Sequence, residues 1–342
     1  MQAIGYQQAG ALDRDEALVD IKLPVPTPGP RDLLIDVRAI SVNPVDTKVR
    51  QGMGAEAGQW KVLGWDAAGV VSAVGSEVTL FQPGDDVFYA GALGRPGTNA
   101  QFHLVDERIV GVKPKTLNWA NAAAMPLTSI TAWEALFDRL RVDQPVAGAA
   151  NAILIIGGAG GVGSIAIQLA RALTGLTVIT TASRPETVEW VRQMGAHHVI
   201  DHRQPLAAQV EALGLGAPAF VFSTTQTGQH LDQIAELIAP QGRFVLIDDP
   251  ATLDVNRFKR KSVSIHWEFM FTRSMWATED MAAQGKLLGE VSRLLDEGRL
   301  RSTMTQKHTP INAANLKQVH ALLESGKACG KIVLEGFGEA GA

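Results

Sequence analysis

The chain has 342 residues, 46% hydrophobic and 19% charged, with a formal net charge of −4 from 31 Lys+Arg against 35 Asp+Glu; this is globular composition with length for two ordinary domains. It carries no long basic run to bind nucleic acid or an anionic membrane and no apolar stretch of the roughly 18 residues a spanning helix needs. The N-terminal segment MQAIGYQQAGALDRDEALVD lacks a charged start followed by an apolar region, so a cytoplasmic protein acting on small molecules is expected, and the single cysteine, Cys329, excludes an intrachain disulfide and a multi-thiolate metal cluster.

In chain order, DLLIDVRAISVN alternates Ile35, Val37 and Ala39 with Asp36 and Arg38, the period of a half-buried strand. GVVSAVGSEV, GDDVFYAGAL and NAQFHLVDERIVGV follow as further β-rich runs broken by Pro83-Gly84 and Gly94-Arg95-Pro96-Gly97, so the first 115 or so residues read as a compact all-β unit. The Ala-rich segment 118–140 reads as two helices meeting at a bend at Pro126. Beyond the linker QPVAGAA, apolar strands take turns with amphipathic helices: strands at 152–157, 177–182, 197–200, 218–223, 242–248 and 263–271, helices beginning near Gly163, Glu186, Pro205 and Gln229. This βαβ grammar predicts an α/β fold with a doubly wound six-stranded parallel sheet. From about 273 onward two helices, EDMAAQGKLLGEVSRLLDEG and NAANLKQVHALLESG, precede a closing strand GKIVLEG and a tail, GFGEAGA, expected to fray.

The strand AILIIG runs into Gly158-Ala159-Gly160-Gly161-Val162-Gly163 and then into the helix SIAIQLARAL. In that context G-x-G-x-x-G is a dinucleotide signature: the glycines permit a tight turn and close approach of backbone N–H groups to a pyrophosphate, whose charge a helix N-terminus favours. An NAD-specific site places an acid about 20 residues further on. TVITTASR has none; Ser183 can donate to a 2′-phosphate and Arg184 can pair with it, which points to NADPH. Ser183-Arg184-Pro185-Glu186 is also a capping box, S-x-x-E, and the two roles are compatible. Ser223 and Thr224 close the fourth strand, at the carboxyl edge where such sheets bind ligands, and are candidate ribose or adenine contacts.

With SVNPVDTKVR at 41–50, GWDAAGVV at 64–71, PGDDVFYAG at 83–91, MPLTSITAWEAL at 125–136, GGAGGVGSIAIQLAR at 157–171, MGAHHVIDH at 194–202 and GKIVL at 330–334, the chain resembles the medium-chain dehydrogenase/reductase superfamily. The nearest branch is that of quinone oxidoreductases and zinc-type alcohol dehydrogenase-like proteins. The resemblance implies a GroES-like β catalytic domain at 1–126 and 273–342, a Rossmann NADPH-binding domain at 127–272, an active site in the cleft between them, and a homodimer formed by extending the Rossmann sheet. It further implies cofactor contacts at Asn43, Thr128, Ala159, Gly160, Gly161, Val162, Ser183, Arg184, His202, Ser223, Thr224, Ile247, Phe269 and Lys331. Zinc relatives hold their metal with Cys, His and a second Cys or acid. The matching places here are Asn43, Trp65 and Leu127, so the resemblance comes without zinc, and Asp66 is expected to serve a local hydrogen bond or ion pair. The eight histidines supply no substitute, since His197 and His198 are adjacent and face opposite ways on a strand.

Without a Lewis acid, hydride addition to a simple ketone leaves a localised alkoxide unsupported, whereas a quinone or an α,β-unsaturated carbonyl spreads the charge. The expectation is therefore an NADPH-dependent, zinc-independent quinone or enone reductase. An NADPH-binding sensor or pseudoenzyme without useful turnover and a zinc-type alcohol dehydrogenase are the alternatives. Asn43 is the leading catalytic candidate, as an orienter or a donor to the oxyanion, and Tyr89, ending a strand towards the expected cleft, is a candidate proton donor. Asp46, Thr47 and Lys48 read as solvated loop residues. Trp65, Tyr89, Trp267 and Phe271 are candidate substrate-pocket residues, the last two from the aromatic run SIHWEFMFTRSMW that also holds His266, Phe269 and Met275 and reads equally well as core or subunit edge.

Overall fold

A computed structural model describes residues Met1–Gly338. The chain forms two compact units, one made of Met1–Ile130 with the segment from Phe271 onward, the other of Thr131–Met270.

The first unit is built on the strand Asp32–Val42, which pairs antiparallel with Asp66–Val74 and Phe102–Asp106. The C-terminal strand Lys331–Glu335 adds to the same strand, with Ile332 opposite Val42 and Leu334 opposite Ile40, so a segment nearly 300 residues away completes the sheet. This is the GroES-like β architecture. The alternation is weaker than the sequence pattern implies: Arg38 is exposed, but residues 39–42 are all buried, because this end of the strand is covered on both faces. An edge strand absent from the sequence reading, Met304–His308, runs parallel to Lys331–Glu335; its mostly exposed residues give it no hydrophobic period to detect.

The expected all-β unit is interrupted by a helix, Pro44–Gly52. Asn43 precedes it in extended conformation, Pro44 sits in its first turn, and the Asp46 carboxylate reaches back to accept from the Asn43 N–H at 2.8 Å. N-P-x-D is thus a helix start, satisfying an amide that the first turn leaves without a partner. The tail is also tied further along than expected: the Gly336 N–H donates to Arg38 O at 2.9 Å and Phe337 bridges to Ile311, while residues 339–342 lie outside the described residues.

The second unit is a six-stranded parallel sheet whose order in space is His198–Ile200, Thr177–Thr181, Ala150–Ile156, Pro218–Ser223, Arg243–Leu246, Ser264–Trp267. Its first strand lies inside the sheet and the chain crosses back past it after stepping out to one edge, which is the doubly wound Rossmann arrangement. The last strand is shorter than the run 263–271 suggested. At Glu268 the buried carboxylate pairs with the partly exposed Arg139, and a short helix, Thr272–Trp276, follows. The Ala-rich segment divides as expected into Trp119–Ala123 and Pro126–Trp133, then widens into a π-helical turn, Glu134–Arg139.

Candidate functional site

The glycine loop leaves the strand Ala150–Ile156 and opens the helix Gly161–Leu173. Three of its glycines have distinct steric reasons. Gly157 turns at φ +82°; a Cβ on Gly158 would stand 1.9 Å from Thr180 Oγ1; one on Gly163 would stand 2.3 Å from Gly157 O. At Gly160, by contrast, the nearest atom to a Cβ would be 3.5 Å away, so this residue presents bare backbone to open space rather than to neighbouring protein. The loop is braced from the second strand, where Thr181 Oγ1 accepts from the Gly157 N–H at 2.9 Å. Amides in the first helical turn have no intrahelical acceptor and carry the positive end of the helix dipole. Glycine cradle and helix start together fit a dinucleotide pyrophosphate, and the backbone of Ala159, Gly160, Gly161 and Val162 lies at that start.

At the end of the second strand the helix Pro185–Gln193 starts one residue later than the expected box: Arg184 is the N-cap, and its N–H donates to Thr187 Oγ1 at 3.2 Å, so Ser183 and Glu186 do not cap. Glu186 instead pairs with Arg184 at 2.9 Å. A neighbour missed in the sequence, Arg203, donates to the Ser183 carbonyl at 3.1 Å while forking onto Asp201. His202 lies between these charges, held below the ordinary imidazole range by burial. Two guanidiniums therefore flank Ser183, each paired with one carboxylate on an exposed rim. Ser223 and Thr224 are spent locally: Ser223 Oγ bonds Thr227 Oγ1 at 2.7 Å and Thr224 Oγ1 donates to Ile156 O at 2.8 Å. Ile247 follows the fifth strand with its N–H on Ser223 O, and Phe269 is largely exposed.

In the first unit, Lys331 carries an ammonium into the interior at 3% exposure and delivers its three hydrogens to Val42 O at 3.0 Å, Asn43 Oδ1 at 2.5 Å and Asp66 Oδ2 at 3.1 Å. Asn43 answers by donating Nδ2 to Asp66 Oδ2 at 2.8 Å, and the Leu127 N–H donates to Asp66 Oδ1 at 2.7 Å. The amide orientation of Asn43 is thereby fixed: an oxygen facing an ammonium, a nitrogen facing a carboxylate. Asp46 completes the cluster. Expected on the surface, it is buried together with Thr47, and only Lys48 is exposed; burial pushes its carboxyl up to about 7, against the opposing Lys331 charge.

Two family models match, the alcohol dehydrogenase GroES-like domain over residues 29–115 and the zinc-binding dehydrogenase over residues 161–284. A zinc-type alcohol dehydrogenase-like protein of Staphylococcus aureus is 40% identical over 98% of this chain and 99% of its own. The chain belongs to the medium-chain dehydrogenase/reductase superfamily. Among solved structures, a Rhizobium etli CFN 42 protein named after the zinc-dependent alcohol dehydrogenases superposes with a TM-score of 0.97 at 68% identity, covering 99% of this chain and 98% of that one. The quinone oxidoreductase from Coxiella burnetii does so with a TM-score of 0.80 at 26% identity, covering 98% and 99%. The 2-methylene-furan-3-one reductase of Solanum lycopersicum is 28% identical over 98% of this chain and 79% of its own.

Within this superfamily the branch named for zinc requires a ligand set that this member does not offer. Trp65 is buried and its Nε1 is a donor, to Ala92 O at 3.3 Å; Leu127 contributes only a backbone N–H, already on Asp66; and the oxygens of Asn43 and Asp66 surround an ammonium. Among the described residues, no three His, Cys, Asp or Glu side chains come together to hold a metal ion. The residues present do not fit zinc.

Two expected active-site aromatics lie elsewhere than the sequence suggested. Tyr89 is in the interior of the strand Asp86–Ala90, fully buried, its hydroxyl on His103 Nδ1 at 3.0 Å and its ring stacked on the same imidazole. Burial drives that phenol far above its ordinary range, and it holds no position from which to protonate a substrate. Trp65 meets Phe271 edge to face at 6.0 Å between centroids, both buried, as core of the first unit. Trp267 belongs to the second unit and is 55% exposed. Thr128 is buried, with its hydroxyl on Met125 O at 3.3 Å, and Lys331, expected as a cofactor contact, has its ammonium saturated by protein oxygens.

Proposed function

We propose that this protein is an NADPH-dependent, zinc-independent reductase that transfers a hydride to a quinone or an α,β-unsaturated carbonyl compound. The observation that carries the reading is the Lys331 ammonium lodged against Asn43 Oδ1 and Asp66 Oδ2, where zinc relatives bring metal ligands together. A protein cation with no open coordination position cannot polarise a substrate carbonyl as a metal does. The acceptor must then carry the developing charge itself, and conjugated systems do. Relatives named quinone oxidoreductase and 2-methylene-furan-3-one reductase support the same class.

NADPH, when bound, supplies the hydride. The chain's residues bind and orient it: the loop Gly157–Gly163 takes the pyrophosphate, and Ser183 with Arg184 and Arg203 takes the 2′-phosphate, each guanidinium exchanging part of its present carboxylate pairing for the phosphate. Asn43, its donor hydrogens directed to Asp66 and to Ser41 O, acts as an orienting residue. The exposed edge strand Ser264–Trp267 is proposed as the seam of a homodimer.

The test is rapid mixing of the purified protein and NADPH with phenanthrenequinone, simple quinones and a set of enals and enones, following loss of nicotinamide absorbance. Oxidation by conjugated acceptors and not by saturated ketones is expected; silence across the set, with tight NADPH binding retained, would identify a sensor instead.

A further inference from the structure

The two arginines beside Ser183 are held in different ways, although each is paired with a carboxylate two residues away. Arg203 is gripped by Asp201 through four hydrogen bonds. Its backbone N–H and Nε donate to Oδ1 at 2.9 and 3.0 Å, and Nε and Nη2 donate to Oδ2 at 3.1 and 2.7 Å. These bonds bring the Asp201 carboxyl down to about 2. Asp201 is itself anchored: its N–H donates to Gln209 Oε1 and its carbonyl accepts from Gln209 Nε2, both at 2.9 Å. Because Nη2 also donates to the Ser183 carbonyl at 3.1 Å, the guanidinium is fixed from two sides, and Nη1 has no protein partner among the described residues. Glu186 meets Arg184 less firmly, through Oε1 to Nε at 2.9 Å, with 66% of the Glu186 side chain exposed. Ion pairs this exposed are weak and readily exchanged.

A nucleotide 2′-phosphate brings close to two negative charges and three acceptor oxygens, more than one exposed carboxylate offers a guanidinium. On Arg184 it competes with Glu186 for the same donors, and the two anions repel each other. On Arg203 it can take Nη1 while Asp201 yields at most one of its bonds. Removing either carboxylate subtracts the same charge from the same rim, so a field effect alone would tighten phosphate binding in both cases. Competing and holding separate the two by sign.

We propose that Glu186 is a place-holder on Arg184 that the 2′-phosphate displaces, and that Asp201 is a positioning residue that keeps Arg203 directed to the phosphate. Together they set the preference for a 2′-phosphorylated cofactor over its unphosphorylated counterpart. The proposal rests on the reading of this rim as part of an NADPH site.

Calorimetric titration of the full chain with adenosine 2′,5′-bisphosphate and with 5′-AMP, at one low ionic strength, tests this without turnover. Glu186→Gln should bind the bisphosphate about two- to fivefold more tightly and Asp201→Asn about three- to tenfold more weakly, both with 5′-AMP affinity unchanged. Glu189→Gln, which removes a charge further along the same helix, should change neither. Tightening in both Glu186→Gln and Asp201→Asn, or an unaltered affinity in Glu186→Gln, would overturn the proposal. So would a parallel loss of 5′-AMP binding in Asp201→Asn, which would make Asp201 a structural residue. A wild type that binds the two nucleotides equally would overturn the NADPH reading itself, and the proposal with it.

Discussion

Lys331 Nζ lies 3.1 Å from Asp66 Oδ2, with 3% and 0% of the two side chains exposed, so each ion is the other's principal counter-charge in the interior of the β unit. Removing one partner strands the other in a medium that solvates it poorly. Lys331→Met should therefore cost about 3–5 kcal/mol of stability, and Asp66→Leu a similar amount, while the double variant should lose much less than the sum. Urea unfolding of the four proteins measures the coupling; additive losses would show that the two charges do not depend on each other.

Arg184→Ala should weaken NADPH binding by about 1–3 kcal/mol and leave NADH nearly unchanged, because it deletes one charge-assisted contact to the 2′-phosphate. Arg203→Ala should act in the same direction, with an additional loosening of the Ser183 loop that its guanidinium holds. Fluorescence titration with both cofactors measures this, and equal losses for the two would move the phosphate elsewhere.

Tyr89→Phe should leave turnover unchanged and lower stability by about 1 kcal/mol, since it removes one buried hydrogen bond to His103 and nothing that a substrate reaches. Steady-state rates and a urea midpoint on the same sample separate the two effects. A collapse of kcat with normal stability would restore the phenol to the chemistry.

Acid should destabilise the fold through its buried imidazoles. Burial lowers His103 from 6.5 to about 4 and, with the Arg50 charge nearby, His320 to about 3. The unfolded chain takes up protons on these groups near 6.5 and the folded chain refuses them until much lower pH, so stability falls as pH drops from 6.5 towards 4. A His103→Gln variant should show a shallower decline in urea midpoint over that range.

How much of this was legible in the sequence depends on whether the signal was local. The glycine loop and the six strands were, because steric need at Gly158 and Gly163 and the continuous apolar runs of a sheet covered on both faces are written in short stretches of chain. So was the mismatch with zinc, which rests on residue types at Asn43, Trp65 and Leu127. The helix after Asn43 was missed although N-P-x-D spells a helix start, since the surrounding β-rich pattern outweighed it. The Lys331 contacts were not readable: residues 43, 66 and 331 meet only because the C-terminal strand pairs with Asp32–Val42. Tyr89 was misjudged because strand position alone does not say which face is buried, and His103 supplied a partner 14 residues away.

The central claim is that hydride reaches a conjugated acceptor with no divalent cation taking part. The measurement that bears on it most directly is the rate of NADPH oxidation by one reactive quinone before and after exhaustive dialysis against a strong chelator, with metal content determined on the same samples. The account predicts well under one zinc per chain and an unchanged rate; activity that falls with the metal and returns when zinc is added back would contradict it.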